Sequence, residues 1–152
     1  MKEFKEEQKM RQWWLWALLI AVAGVWVWDL IQQILGLKPT DIAGLFVGFF
    51  IIGPVLIFFY TLKLKTEFNA DGIRINYSIL ANRRIKWEDV KELEIVRYGF
   101  VGYGLRFSFK YGIVYNTHGN MGLFIKNKKS GKLLIGTQHP EEVNQVVKQY
   151  IQ

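Results

Sequence analysis

Cysteine is absent from the 152 residues, which excludes disulfides and thiolate chemistry and leaves the redox compartment open. Histidine is nearly absent: His118 and His139 occur alone, no HExxH is present, and each reads as a turn residue and not as a metal ligand. Nucleophile signatures are missing too. Ser78, Ser108 and Ser130 have no nucleophile-elbow context, and Gly99, Gly102 and Gly104 lack the Lys-Ser or Lys-Thr that a phosphate loop requires. Glu88 and Asp89 are adjacent in a turn and so face different ways, which gives no acid/base pair. The chain reads as non-catalytic, with no cofactor and no metal.

Charge is missing from one long run. Ile42 to Tyr60 holds no charged side chain in nineteen residues, and at ~1.5 Å per residue it measures about 28 Å, against a hydrocarbon core of ~30 Å. A second run, Trp13 to Leu35, is uninterrupted to Trp28 and continues past Asp29 through Leu30, Ile31, Ile34 and Leu35. The loop Gly36 to Asp41 joins them, so residues 1–61 read as an N-terminal tail plus a two-helix transmembrane hairpin, with spans at about 13–35 and 42–60. Trp13, Trp14 and Trp16 at one end, Trp26 and Trp28 at the other, and Tyr60 closing the second run suit the headgroup level. Two other readings exist. A buried hairpin in a soluble protein would need more surrounding mass; a signal peptide cut after Ala21-Val22-Ala23 would not need the apolar Val25 to Trp28 beyond it.

Lys and Arg in the flanks set the orientation. Lys2, Lys5, Lys9 and Arg11 precede the first span and Lys63 and Lys65 follow the second, whereas the loop holds only Lys38 beside Asp41. Both termini are expected on the cytoplasmic side of a cytoplasmic membrane, in a multi-pass protein. Small residues mark helix-packing candidates, Ala17, Ala21 and Gly24 on the first helix and Gly44 and Gly48, a GxxxG, on the second. An antiparallel clasp within the chain is the economical use, and a homo-oligomer through Gly44 and Gly48 the alternative. Pro54, inside the second span, removes a backbone donor and should bend the helix.

From Leu62 the periodicity changes to two. Leu62, Leu64, Thr66 and Phe68 alternate with polar residues, the turn signal Asn69-Ala70-Asp71-Gly72 follows, and Ile73, Ile75, Tyr77 and Ile79 alternate again. Further short runs lie at Arg84 to Trp87, Lys91 to Tyr98, Leu105 to Tyr111, Ile113 to Thr117, Met121 to Lys126 and Lys132 to Thr137. These predict an antiparallel sandwich or barrel in residues 62–152. One helix then ends the chain: Pro140 suits its first position, Glu141 and Glu142 its positive end, and Val143, Val146, Val147, Tyr150 and Ile151 form one apolar stripe. The fold class is α+β, a membrane hairpin followed by a β domain with a capping helix.

Ile85-Lys86-Trp87-Glu88-Asp89-Val90 resembles the I-x-W-x-D-I turn of bacterial pleckstrin-homology-like domains, and Leu133 to Glu142 resembles their last strand running into the final helix. Tyr98 to Gly104 followed by Gly119-Asn120-Met121-Gly122-Leu123 is similar to membrane-anchored members, many without assigned function. The resemblance covers roughly residues 62–151 and implies a PH-like fold and a binding or scaffold module, with no catalytic motif to transfer. Its first hairpin turn, Asn69 to Gly72, is tight and slightly acidic, unlike the basic loop that grips phosphoinositides in eukaryotic members.

Residues 63–152 hold fifteen Lys or Arg against eight Asp or Glu. A basic domain tethered to a leaflet always has an acidic surface beside it, so anionic lipid is the expected partner and nucleic acid is not. The candidate contacts are Lys63, Lys65, Arg83, Arg84, Lys86, Lys126, Lys128, Lys129 and Lys132, the plainer reading being solvated turns that keep sheet edges soluble. The function expected is a membrane-tethered, non-catalytic interaction module with an unidentified protein partner. The alternative is an accessory subunit of a larger membrane complex, such as a transporter, held through its spans.

Overall fold

The computed structural model describes residues 3–99 and 103–150, and within it the chain forms two compact units. One comprises residues 11–61; the other joins residues 1–10 to residues 62–152. The glycine-rich segment's Gly102 and the terminal Ile151 lie outside the described residues.

In the first unit, α1 (Trp13–Ile34) ends at Gly36, whose φ of 70° the left-handed position requires. Leu37 N donates to Gln32 O and Gly36 N to Gln33 O, the paired closure of a Schellman turn. Asp29, the charge inside the first run, is neutralised locally: Lys38 Nζ lies 2.7 Å from Oδ1 and Gln33 Nε2 donates to Oδ2 at 2.7 Å. The second helix runs through α2 (Ile42–Val47), a π turn at Gly48–Ile52 and α3 (Gly53–Thr61). The π turn accompanies Pro54, whose missing N–H and bulky ring disfavour the ordinary pattern one turn back. Trp13–Ile34 and Ile42–Thr61 are both long and apolar enough to cross a membrane. Their outward residues stay exposed, among them Trp13, Ile20, Val25, Phe49 and Phe50.

The second unit contains one strand that its sequence conceals. β1 (Phe4–Lys9) pairs antiparallel with β2 (Lys63–Asn69), from Phe4 opposite Phe68 to Lys9 opposite Lys63. The expected division at residue 61 therefore shifts: the first ten residues, expected as a tail to the hairpin, group with the β unit. β3 (Gly72–Tyr77) and β4 (Ala81–Ile85) complete a sheet in the order β1-β2-β3-β4. A short 3-10 turn, Trp87–Asp89, leads to a second sheet. It contains β5 (Val90–Arg97), β6 (Gly104–Ser108), β7 (Gly112–Asn116), β8 (Met121–Asn127) and β9 (Gly131–Gly136), in the order β5-β8-β9-β7-β6.

Two expectations are corrected here. The sheets do not close into a barrel: β5 pairs with β8 and not with β4, which ends the first sheet at β4. Nor is the pairing wholly antiparallel, because β9 inserts between β8 and β7 and runs parallel to β7, with Val114 opposite Leu134. Buried side chains follow the alternation, with Leu64, Phe68, Ile73, Ile75 and Tyr77 on the first sheet and Leu123, Ile125, Leu133 and Ile135 on the second. α4 (Pro140–Lys148) buries Val143, Val146 and Val147 and lies against β1, β5 and β8. Tyr150 stacks on Trp87 at 4.7 Å, and Trp87 Nε1 donates to Asn69 O at 2.8 Å.

Candidate functional site

The register of the β unit sorts its charged residues into two ends. At one end the chain connects to the apolar helices: Lys9 faces Lys63, and Ser78 follows directly on the Leu64–Tyr77 pair. At the other end Asn69 faces Gly72, Ile73 faces Ile85, and Trp87 bonds to Asn69. Six residue steps separate Lys63 from Asn69, about 20 Å of strand.

The candidate lipid contacts fall at both ends and make no single patch. Lys63 and Lys65 belong to the helix-connected end, and Arg83, opposite Ile75, lies midway. Arg84 and Lys86 lie towards the far end. Asn127 faces Val90 and Lys128 N donates to Asp89 O, which brings Lys126, Lys128 and Lys129 there as well; Lys132 follows at the start of β9.

Most of these cations already have carboxylate partners. Glu7 takes Lys65 at 3.2 Å and Lys63 at 3.6 Å, and the hydrogen bond from Lys65, aided by both charges, holds Glu7 below the usual carboxylate range. Arg84 pairs with Asp71, Lys86 with Glu88, Lys126 with Glu92 and Lys129 with Asp89. The bond to Asp89 raises Lys129, and the bond from Lys126 lowers Glu92. Lys128 Nζ donates to Glu88 O. Local pairing at exposed positions is what solvated turns need, and such pairs add little to stability because water and salt screen them.

The helix-packing candidates separate cleanly. Trp26 Nε1 donates to Gly44 O at 2.9 Å, and a Cβ at Gly48 would overlap the Trp26 ring. The GxxxG is thus a seat for an indole of the same chain, and Phe49 meets that ring edge-on at 5.4 Å. Ala17, Ala21 and Gly24 face outward instead, with nothing within 4 Å of a Cβ placed on Gly24. The face of α1 that is shielded carries Leu19, Ala23, Trp26 and Leu30.

Sequence reasoning missed a buried polar network. Glu6, 9% exposed, accepts from Thr137 Oγ1 at 2.6 Å, Gln138 N at 2.8 Å and Gln8 Nε2 at 2.9 Å. Gln8 also donates to Gly136 O, and its Oε1 accepts from Thr117 Oγ1 at 2.6 Å. β1 is thereby fastened to the chain leaving β7 at Thr117 and to the chain leaving β9 at Gly136 to Gln138. The available signal was alternation in Phe4 to Lys9, with Lys5, Glu7 and Lys9 outward, hidden because two of the three inward residues are polar.

A cleft of about 410 Å³ is lined by Tyr98, Gly99, Tyr103, Asn116 and His118 with Gly119 and Asn120. Burial pushes the Tyr98 phenol up to about 12, and its hydroxyl has no hydrogen-bond partner among the described residues. Among the described residues no three His, Cys, Asp or Glu side chains group to hold a metal. No family model, no curated protein and no solved structure matches the chain.

Proposed function

We propose that the chain is a membrane-tethered, non-catalytic interaction module, its two apolar helices spanning the bilayer and its β unit held at the cytoplasmic face. The observation that carries this is the β1–β2 pairing. It brings the residue four places before the first apolar helix opposite the residue two places after the second. Strands paired in one sheet lie on one side of a membrane, so two crossings returning to that side satisfy the connection.

Exposed apolar residues all along both helices support insertion, since water leaves such surfaces uncovered at a cost and lipid does not. The basic flanks support a cytoplasmic β unit, and Lys38, the one basic loop residue, is already paired with Asp29. The PH-like kinship rests on the sequence resemblance and on the order of strands followed by one helix.

The absence of cysteine makes the test clean. Thr40→Cys should react with an impermeant maleimide only from outside, and Ser130→Cys only from the cytoplasmic side. Labelling of both from one side overturns the reading. A second reading, an accessory subunit held through its helices, is favoured by the open Ala17, Ala21 and Gly24 face; co-purification of a membrane protein with residues 11–61, and not with the β unit, would select it.

A further inference from the structure

The two turns that bound β3 differ in a way the fold does not require. At the far end Asn69-Ala70-Asp71-Gly72 is polar, with Asn69 Oδ1 accepting from Asp71 N and Gly72 at φ 134°. At the helix-connected end the chain turns through Ser78, Ile79 and Leu80, closed by Leu80 N donating to Tyr77 O at 2.9 Å. Ile79 is 84% exposed and Leu80 42%. Turn tips that meet water favour Gly, Asn, Asp, Pro and Ser. Here Ser78 takes φ 46°, the one positive value at a non-glycine among the described residues, and the two large aliphatic side chains follow it.

Register fixes where this tip lies. Leu64 faces Tyr77, and Ser78 Oγ accepts from Lys63 N at 3.3 Å, so the turn through Ile79 and Leu80 lies at the Lys63 end of β2, the end that continues along the chain into the second apolar helix. Thr61 is the last residue of the second apolar helix, two residues and about 7 Å of chain from Lys63. A headgroup layer is only ~5–8 Å deep per leaflet. Lys9 and Lys63 stand at the same end, where cations suit anionic headgroups.

We infer that the β3–β4 turn dips Ile79 and Leu80 into the bilayer from which β2 emerges, giving the β unit a third, non-covalent point of attachment to the lipid surface. The inference rests on the membrane reading above. Insertion accounts for a large aliphatic side chain at a turn tip, Ile79, that is left almost wholly exposed, with Leu80 partly exposed beside it, and for the polar turn at the other end of the same strand.

The test uses the full-length protein in vesicles of phosphatidylcholine and phosphatidylglycerol, with single cysteines carrying an NBD fluorophore at Ile79, Phe50, Phe109 and Ser130. Phe50 reports the span. Phe109, on the β6–β7 turn beside the start of β9, and Ser130, on the β8–β9 turn, lie at the end of the β unit away from Lys63 and report water. The expected result is a blue-shifted Ile79 signal, at least twofold quenched by nitroxide lipids labelled near the headgroup, with Phe109 and Ser130 unaffected. A quenched Phe50 label beside an unquenched Ile79 label overturns the inference alone. A blue-shifted but unquenched Ile79 label means protein covers the tip, and also overturns it. An unquenched Phe50 label overturns the membrane reading itself. Ile79→Asp serves as a second check: the variant should keep its melting temperature in detergent, because Ile79 is almost wholly exposed, and an Ile79→Asp protein melting well below the parent places the tip in the core and overturns the inference.

Discussion

Glu6 and Thr137, 131 residues apart, share a 2.6 Å hydrogen bond in a buried site, and through it the first strand is tied to the chain entering the last helix. Among the described residues no cation pairs with this carboxylate, and its burial is tolerable because three donors converge on it.

Glu6→Ala should therefore destabilise the β unit by about 2–3 kcal/mol, since the Thr137 hydroxyl and Gln138 amide lose their acceptor. Urea unfolding followed by tryptophan emission measures it. Residues 62–152 alone should aggregate, whereas residues 3–10 joined to 62–152 by a short Gly-Ser linker should stay soluble. Equal solubility of both would show that β1 is dispensable.

Gly48→Ala should lower the detergent melting temperature by several degrees, because the new methyl displaces the Trp26 indole from Gly44. Gly24→Ala, with open space around it, should leave that temperature within error or raise it through helix propensity worth ~1 kcal/mol. The reverse ranking would put the packing face on Ala17, Ala21 and Gly24.

Alkaline pH should unfold the β unit through Tyr98. Its phenol is raised from an unfolded value near 10 to about 12 by burial, so the neutral form is favoured by folding. The contribution, on the order of 2–3 kcal/mol, is complete below pH 10 and is lost as pH climbs towards 12. Tyr98→Phe should flatten that part of the stability–pH profile; an unchanged slope between pH 10 and 12 would assign the loss to another group.

Trp87→Ala should cost about 2 kcal/mol, below the ~3–5 of a fully buried ring, because Trp87 is half-buried, stacked on Tyr150 and bonded to Asn69 O. Differential scanning calorimetry of the full chain reads this. No change would mean the ring serves recognition and not packing.

Periodicity is legible where burial alone decides residue type. Ile42 to Tyr60 and the alternation from Leu62 to Tyr77 are of this kind, whereas Ile79, expected to continue the alternation, lies exposed in the turn after β3. β1 was illegible because Glu6 and Gln8 point inward, and only a distant acceptor such as Gly136 O makes that affordable. Sheet order was illegible for a related reason: period two fixes which residues face in, but is silent on which neighbour a strand takes, and so gives no hint that β9 lies between β7 and β8. The cations were legible as a list and not as a site, since their partners, Glu7 above all, come from elsewhere in the chain.

The pairing of β1 with β2 also orders events in time. The first strand leaves the ribosome some fifty residues ahead of its partner, and both apolar helices must be made before Lys63 arrives to meet Lys9. Until then Phe4, Glu6 and Gln8 have no sheet to join. Packing of the two helices, with Trp26 seated against Gly44 and Gly48, shortens the loop to be closed and removes much of the closure entropy that a free chain of that length carries. Completion of the β unit thus waits on the second helix, and a chain halted before Lys63 carries a first strand with no sheet edge to pair with.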